Sequence, residues 1–208
     1  MIKSHCDLRI VLIGGSSHAG KSAIAQSLAS HLGWSYRSTD KGLAPHPGRP
    51  WQVKPREVPK HVADHYLSLS VDELITDVLR HYKDNVWPLI KDIVTSHATD
   101  LSTDRLILEG SAILPELVVA LTLDNTAAIW LTASNELFEQ RIYSTSQYET
   151  KSPREKKMID KFLERTWQYN DRMMATVKRL GLVSMDVENA SSVNELTSTI
   201  IKAIFKNA

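Results

Sequence analysis

The sequence predicts a three-layer α/β fold, in which one parallel sheet of five strands carries helices on both faces. Five short apolar runs, several rich in β-branched residues, are typical of strands buried on both faces. Segments with apolar residues at helical spacing separate these runs. Because no internal repeat or interdomain linker is visible, we expect a single domain over residues 1–208.

The elements follow from periodicity and from start and stop signals. Strands are expected at residues 8–13, 34–38, 105–110, 127–131 and 182–187. Helices are expected at residues 20–31, 61–69, 71–97 and 153–180, and from about 135 and 192. Ser70 with Glu73, and Ser152 with Glu155, form the capping-box pattern that begins a helix. Pro88 predicts a kink within the third helical segment.

Composition excludes several classes of protein. The 25 basic and 24 acidic residues nearly cancel, so no overall field favours nucleic acid or an anionic membrane. The single cysteine, Cys6, excludes a disulfide framework. The apolar runs are too short to span a bilayer, and the first residues do not form a secretory signal. We therefore expect a cytoplasmic protein.

The strongest functional signal is a loop after the first strand that fits G-x-x-x-x-G-K-[ST] without departure: Gly15, Ser16, Ser17, His18, Ala19, Gly20, Lys21 and Ser22. Glycines let successive backbone N–H groups point at phosphate oxygens, and the helix that follows adds its positive dipole end. Lys21 suits the β- and γ-phosphates, Ser22 suits Mg²⁺, and His18 is expected to contribute only its backbone N–H. A chance match is the alternative, but the strand-loop-helix context favours binding of ATP.

Asp40 is the carboxylate best placed to act on a phosphoryl acceptor. It follows the second strand, and ligands of parallel sheets bind at the carboxyl ends of the strands. Asp40 is therefore expected to face the γ-phosphate and to act as base or orienter for an acceptor hydroxyl. The alternative is a residue that only turns the chain.

Glu109 lies at the equivalent edge position after the third strand. One interpretation is that it holds Mg²⁺ through water or binds substrate hydroxyls. The other is a buried structural acid bonded to loop N–H groups. The sequence favours neither.

A basic, polar segment follows residue 141 and is typical of a mobile flap over ATP. Arg141 and Arg154 are its candidate phosphate-binding residues, whereas its lysines are better explained as a solvated helix face. Arg165 and Arg172, farther along the same helix, have weaker support. The whole segment could also be a surface feature.

Residues 41–60 contain five prolines, which forbid a long regular element. A loop of this length in a compact domain is more often functional than idle. Its cations and tryptophan would suit an anionic or phosphorylated small molecule, and Arg49 and Trp51 are the candidate acceptor-binding residues. A rigid linker is the alternative.

Together these residues make the chain resemble the small P-loop kinases, which include nucleoside, nucleotide, shikimate and gluconate kinases. The resemblance rests on the Walker A loop, on Asp40, on Glu109 in place of the usual Walker B aspartate, and on the lid-like segment from Arg141. Residues 14–17, 108–111 and 181–183 look most similar to 2-phosphoglycerate kinase-like proteins.

The resemblance implies a P-loop NTPase fold with strand order 2-3-1-4-5. It implies one kinase domain with an acceptor-binding insertion at about 41–98 and a helical lid at about 141–157. It also implies adenine binding near residues 187–189.

The leading hypothesis is therefore an ATP- and Mg²⁺-dependent phosphotransferase for a small hydroxyl-bearing or phosphorylated metabolite. Lys21, Asp40 and Arg141 would be its catalytic residues, and no nucleic acid or membrane partner is expected. A nucleoside or nucleotide kinase is the closest alternative. A P-loop ATPase or switch protein is the alternative from another class.

Overall fold

The computed structural model describes residues 8–40, 43–44 and 58–206. Its strands are β1 to β5, in chain order Ile10–Gly15, Ser35–Ser38, Leu106–Glu109, Thr126–Thr132 and Ser184–Asp186. Its helices are α1 to α8, in chain order Lys21–Leu32, Lys60–Ser68, Val71–His81, Trp87–Thr99, Pro115–Val119, Asn135–Ser146, Pro153–Arg179 and Val193–Lys206.

The five strands form one parallel sheet in the order β2-β3-β1-β4-β5, which confirms the predicted fold class and strand order. In register, Ile13 of β1 and Ser38 of β2 both pair with Glu109 of β3. Strands β1, β2 and β3 therefore end side by side, and the loops that follow them meet at one edge of the sheet.

Strand β1 is buried along its whole length because each face of the sheet is covered. Val11 and Ile13 face a core shared with α1, α6 and α8, whereas Ile10 and Leu12 face a core shared with α3 and α4. This alternation follows from the two-residue period of a strand. Apolar side chains on both faces explain why β1 reads as an unbroken apolar run.

Gly14, near the end of β1, lies against the indole of Trp130 in β4. A Cβ atom built on Gly14 would come within 2.4 Å of that ring and within 2.9 Å of the Ile113 carbonyl. The same carbonyl accepts a hydrogen bond from Trp130 Nε1 at 2.9 Å, and Trp130 is fully buried. The end of β1, which leads into the loop, is thus packed tightly against Trp130 and the Ile113 carbonyl.

The capping boxes at Ser70 and Ser152 are present as predicted. Helices α3 and α4 are continuous through one π-helical turn, Tyr82–Val86. Pro88 lies in the first turn of α4. Because proline has no backbone N–H, one α-helical hydrogen bond is missing at this point, and the π-helical turn lies directly before it. The irregularity predicted from Pro88 is therefore a widened turn just before it.

Sequence patterns did not predict α5, because five residues are too few to show helical periodicity. None of the helices in the described ranges is both long and apolar enough to cross a membrane.

Candidate nucleotide-binding site

The loop between β1 and α1 has a backbone form that suits phosphate binding. His18 and Gly20 adopt left-handed conformations, with φ of 65° and 92°. Gly20 is the N-cap of α1 and has no side chain to bond the first N–H groups of the helix. The positive end of α1 is thus left for an anion at the edge where β1, β2 and β3 end.

Lys21 points back across this loop. Its side chain is 5% exposed, and Nζ donates to the Ser16 carbonyl at 2.8 Å and to Ser111 Oγ at 3.1 Å. Nζ also lies 3.8 Å from a carboxylate oxygen of Asp40. Lys21 and Asp40 therefore lie next to each other, at the sheet edge where the sequence predicts both.

Asp40 is held by the segment that follows β3. The Ser111 backbone N–H donates to Asp40 Oδ1 at 3.1 Å, and Ser111 Oγ donates to Oδ2 at 3.3 Å. Gly110 makes this approach possible, because a Cβ there would lie 1.7 Å from Thr39 Oγ1 and 3.3 Å from Asp40 Oδ1. Asp40 therefore does more than turn the chain: it is bonded across the sheet edge.

Glu109 is fully buried beneath the start of α1. Its Oε1 accepts hydrogen bonds from Ser22 Oγ at 3.0 Å and from Tyr36 OH at 3.1 Å. Burial and the neighbouring Glu109 carboxylate raise the pKa of the Tyr36 phenol. Glu109 Oε2 is buried with no hydrogen-bond partner. A buried carboxylate with one orphaned oxygen, beside a serine hydroxyl, fits a site for a cation.

Within the described residues, no cluster of three or more His, Cys, Asp or Glu side chains could hold a metal ion. Ser22 and Glu109 would therefore supply only part of a metal's ligands. Mg²⁺ commonly completes its octahedron with water and substrate phosphates, so this small ligand set suits it.

Arg141, on α6, reaches the phosphate loop. Its Nη1 donates to the His18 carbonyl at 2.8 Å and lies 3.6 Å from the position that a Cβ on Gly20 would occupy. Arg154 does not reach the loop: it is 62% exposed, and its guanidinium lies 3.8 Å from Asp64 on α2. Of the two predicted lid arginines, the structure brings only Arg141 to the site.

The ring of His18 packs edge-on against Phe162 of α7, with centroids 5.9 Å apart. Its buried Nδ1 has no hydrogen-bond partner. Burial, followed by the charges of Lys21 and Arg141, lowers the pKa of His18 to about 4. The imidazole is therefore neutral at physiological pH, although it lies in the phosphate loop.

Arg165 is a second arginine next to the loop. It is 8% exposed, packs over the rings of Phe162 and Tyr66 at 4.9 and 5.6 Å, and lines a small cavity with Ser16 and Ser111. No carboxylate of the described residues forms an ion pair with it. A buried guanidinium in this situation suits an anionic ligand.

Arg49 and Trp51, the candidate acceptor-binding residues, lie outside the described residues. Residues 187–189 form a 3₁₀ turn, and Glu188 in it accepts hydrogen bonds from Ser134 at 2.6 and 3.0 Å.

Comparison with solved structures identifies the architecture. A gluconokinase from Sinorhizobium meliloti 1021 is 16% identical, with a TM-score of 0.55 over 96% of this chain and 93% of that chain. A shikimate kinase from Acinetobacter baumannii is 15% identical, with a TM-score of 0.50 over 96% and 94%. A sugar kinase from Janibacter sp. HTCC2649 is 17% identical, with a TM-score of 0.50 over 97% and 96%.

The chain has the fold of the small P-loop kinases. At these identities the similarity establishes architecture alone. The sequence matches no protein-family model and no curated protein. The similarity to 2-phosphoglycerate kinase-like proteins stays a prediction.

Against this kinase-like architecture, sequence reasoning underestimated two residues of the site. Ser111 enters the sequence analysis only within residues 108–111, because no local pattern marks a serine that bonds across a sheet edge. Arg165 did carry a signal: it shares a helix face with Phe162 and Tyr169, three residues before it and four after it, so a charge interrupts the buried stripe of α7.

Proposed function

We propose that this protein is an ATP- and Mg²⁺-dependent phosphotransferase that acts in the cytoplasm on a small hydroxyl-bearing or phosphorylated metabolite. The observation that carries the proposal is the pairing of a carboxylate with the loop cation, since Asp40 lies 3.8 Å from Lys21. A loop that binds phosphate needs no such carboxylate, whereas transfer to a hydroxyl needs a group that accepts or orients its proton.

In the proposed reaction, the acceptor hydroxyl oxygen bonds to the γ-phosphorus while the bond from phosphorus to the leaving oxygen of ADP breaks. The hydroxyl proton passes to the Asp40 carboxylate. Lys21 and Arg141 stabilise the negative charge on the transferring group, because both lie at the phosphate loop. Ser22 and Glu109 would hold Mg²⁺, which supplies further neutralisation of phosphate charge.

The phosphates would occupy the loop from Gly15 to Ser22. The acceptor would lie at the sheet edge beside Asp40 and Glu109, and Arg49 and Trp51 of the proposed insertion at 41–98 are its predicted binding residues. Arg165 supports an anionic group in this crevice, because no carboxylate of the described residues pairs with its buried guanidinium. The names of the three similar proteins support a small acceptor with a hydroxyl group.

The first test is a panel of sugar acids, phosphorylated metabolites and nucleosides, incubated with ATP and Mg²⁺ and assayed for ADP release. Release that requires a sugar acid or phosphorylated metabolite is expected. Release that requires a nucleoside would favour the nucleoside kinase alternative. Rapid hydrolysis with no acceptor requirement would favour an ATPase or switch.

The assignment of Asp40 is tested by Asp40→Asn. Transfer is expected to fall at least 100-fold, because the amide cannot accept the hydroxyl proton, while ATP affinity stays within about twofold of wild type. Turnover is measured with the acceptor found in the panel, and ATP affinity by calorimetry. Unchanged turnover would show that Asp40 is not the acceptor-side carboxylate.

A further inference from the structure

Ser111 separates the two charged groups on which the proposed reaction depends. Its Oγ is 3.1 Å from Lys21 Nζ and 3.3 Å from Asp40 Oδ2. An ammonium only donates and a carboxylate only accepts, so the single hydroxyl proton must point towards Asp40. The Ser111 N–H holds the other carboxylate oxygen at 3.1 Å. One residue thus fixes both oxygens of Asp40.

Ser111 is itself held in place. It is 2% exposed, and its carbonyl accepts a hydrogen bond from the hydroxyl of Tyr169, a buried residue of α7. The preceding residue, Gly110, donates its N–H to the carbonyl of Ile13 at the end of β1 at 3.1 Å. Ser111 is therefore fixed to β1 on one side and to α7 on the other.

The spacing between Lys21 and Asp40 is longer than a hydrogen bond. At 3.8 Å the two groups attract each other, yet each is hydrogen-bonded to Ser111 and not to the other. Without the Ser111 hydroxyl, a buried cation and a nearby carboxylate would be drawn into direct contact. That contact would engage the lysine that the phosphates need and the carboxylate that an acceptor hydroxyl needs.

We propose that Ser111 is a positioning residue that keeps the Asp40 carboxylate from closing onto the Lys21 ammonium. Lys21 can then turn to the nucleotide phosphates while Asp40 stays in place for the acceptor. This inference rests on the proposed function, but its test needs only ATP binding and no acceptor.

The test is titration of the full-length protein with ATP and Mg²⁺ by calorimetry. Ser111→Ala is expected to weaken ATP binding three- to tenfold, because Asp40 then competes with phosphate for Lys21. The double variant Ser111→Ala with Asp40→Asn is expected to bind within twofold of Asp40→Asn alone, since the competing carboxylate is gone. A purely structural role for Ser111 would not produce this rescue.

Two controls accompany the titration. Ser146→Ala removes another buried hydroxyl, which bonds the Tyr143 carbonyl on α6, and is expected to leave ATP affinity unchanged. Ser111→Thr keeps the hydroxyl and is expected to bind ATP within twofold of wild type. Circular dichroism checks that each variant is folded, and if Ser111→Ala is not, Ser111→Gly replaces it with the same expectation.

Three outcomes would overturn the inference. Wild-type affinity in Ser111→Ala would show that no competition occurs. Weakened binding that Asp40→Asn does not rescue would show that the hydroxyl acts on the loop in another way. Failure of the wild type to bind ATP would overturn both this inference and the proposed function. Rapid ATP hydrolysis with no acceptor requirement would refute the kinase proposal alone.

Discussion

Among single residues, His18 shows how a phosphate loop can hold an ionisable group without using its charge. Its ring packs against Phe162, and Lys21 and Arg141 lie close enough to oppose a further positive charge. Both effects favour the neutral imidazole. This arrangement lowers stability only at acidic pH, where the same side chain is protonated in the unfolded chain but not in the folded one.

His18 therefore predicts loss of stability in acid. Its pKa is about 4 in the folded protein against 6.5 for the unperturbed group, so the unfolded state binds more protons below pH 6.5. The contribution of His18 to the free energy of unfolding is fully present above that pH and is lost as pH drops from 6.5 towards 4. The loss is roughly 1–2 kcal/mol between pH 7 and pH 5. The measurement is the free energy of urea unfolding against pH.

His18→Asn is the matched control, because asparagine tolerates a positive φ and does not titrate. The gap in stability between wild type and this variant should shrink as pH falls from 7 to 5. If the free energy of unfolding depends on pH in the same way in both proteins, His18 does not cause the loss. His65, whose pKa is also lowered by burial, is present in both proteins, so its effect cancels in the comparison.

Sequence reasoning located residues whose position is set locally and did not locate those whose position depends on packing. Lys21 follows from a motif of eight consecutive residues, and the sheet edge position of Asp40 follows from the end of a strand. Arg154 was expected at the loop, yet it lies against Asp64, because position along a helix does not fix which neighbour a long side chain meets. Ser111 depends on contacts with three separate elements.

Among the elements, α7 connects the proposed lid to the rest of the molecule. Arg154 and Arg172 form exposed ion pairs with Asp64 and Asp72, which contribute little to stability. Lys161 does more: its Nζ donates to the carbonyls of Leu67 and Leu69 at 3.4 and 2.5 Å. It thus supplies donors to backbone carbonyls at the C-terminal end of α2, where they would otherwise lack partners.

Lys161→Met keeps the apolar part of the side chain and removes these donors. We expect a loss of about 1–2 kcal/mol in the free energy of unfolding, because two partly buried carbonyls lose a charged partner. Lys157→Met, on an exposed position of the same helix, is expected to change stability by less than about 0.5 kcal/mol. The measurement is the midpoint of urea unfolding, compared between variants whose dependence of free energy on urea is the same. Equal midpoints for the two variants would contradict the capping role.

Helix and strand positions were predictable where a start or stop signal accompanied the periodicity. The capping boxes at Ser70 and Ser152 fixed the first residues of α3 and α7. The π-helical turn was not predictable, because the widened hydrogen bonding depends on how Tyr82 and Val86 pack in the core and not only on Pro88.

For the molecule as a whole, nucleotide binding and folding stability should be linked. The phosphate loop joins β1 to α1 and is bonded to the segment after β3 through Ser111 and to α6 through Arg141, so a bound nucleotide would stabilise several elements together. The strand order was predicted from a family resemblance and is confirmed. The proposed acceptor could not be predicted in this way, because periodicity does not encode which side chains would contact it.

ATP with Mg²⁺ at 100 times its dissociation constant is expected to stabilise the protein by about 2.7 kcal/mol. For a chain of this size that corresponds to an increase of about 5–10 °C in Tm, in one cooperative transition if the chain is a single domain. Lys21→Met should abolish the increase, because the phosphates lose their buried cation. Calorimetric scans with and without nucleotide make the measurement, and an unchanged Tm in wild type would contradict ATP binding.

The contact between Gly14 and Trp130 has an evolutionary consequence. A side chain at position 14 cannot coexist with the indole at position 130, whose Nε1 also bonds the Ile113 carbonyl. A lineage can therefore enlarge position 14 only after position 130 has become smaller and the Ile113 carbonyl has moved away. The intermediate with two small residues carries a cavity behind the phosphate loop. Related chains with a side chain at position 14 should therefore carry a residue smaller than tryptophan at position 130.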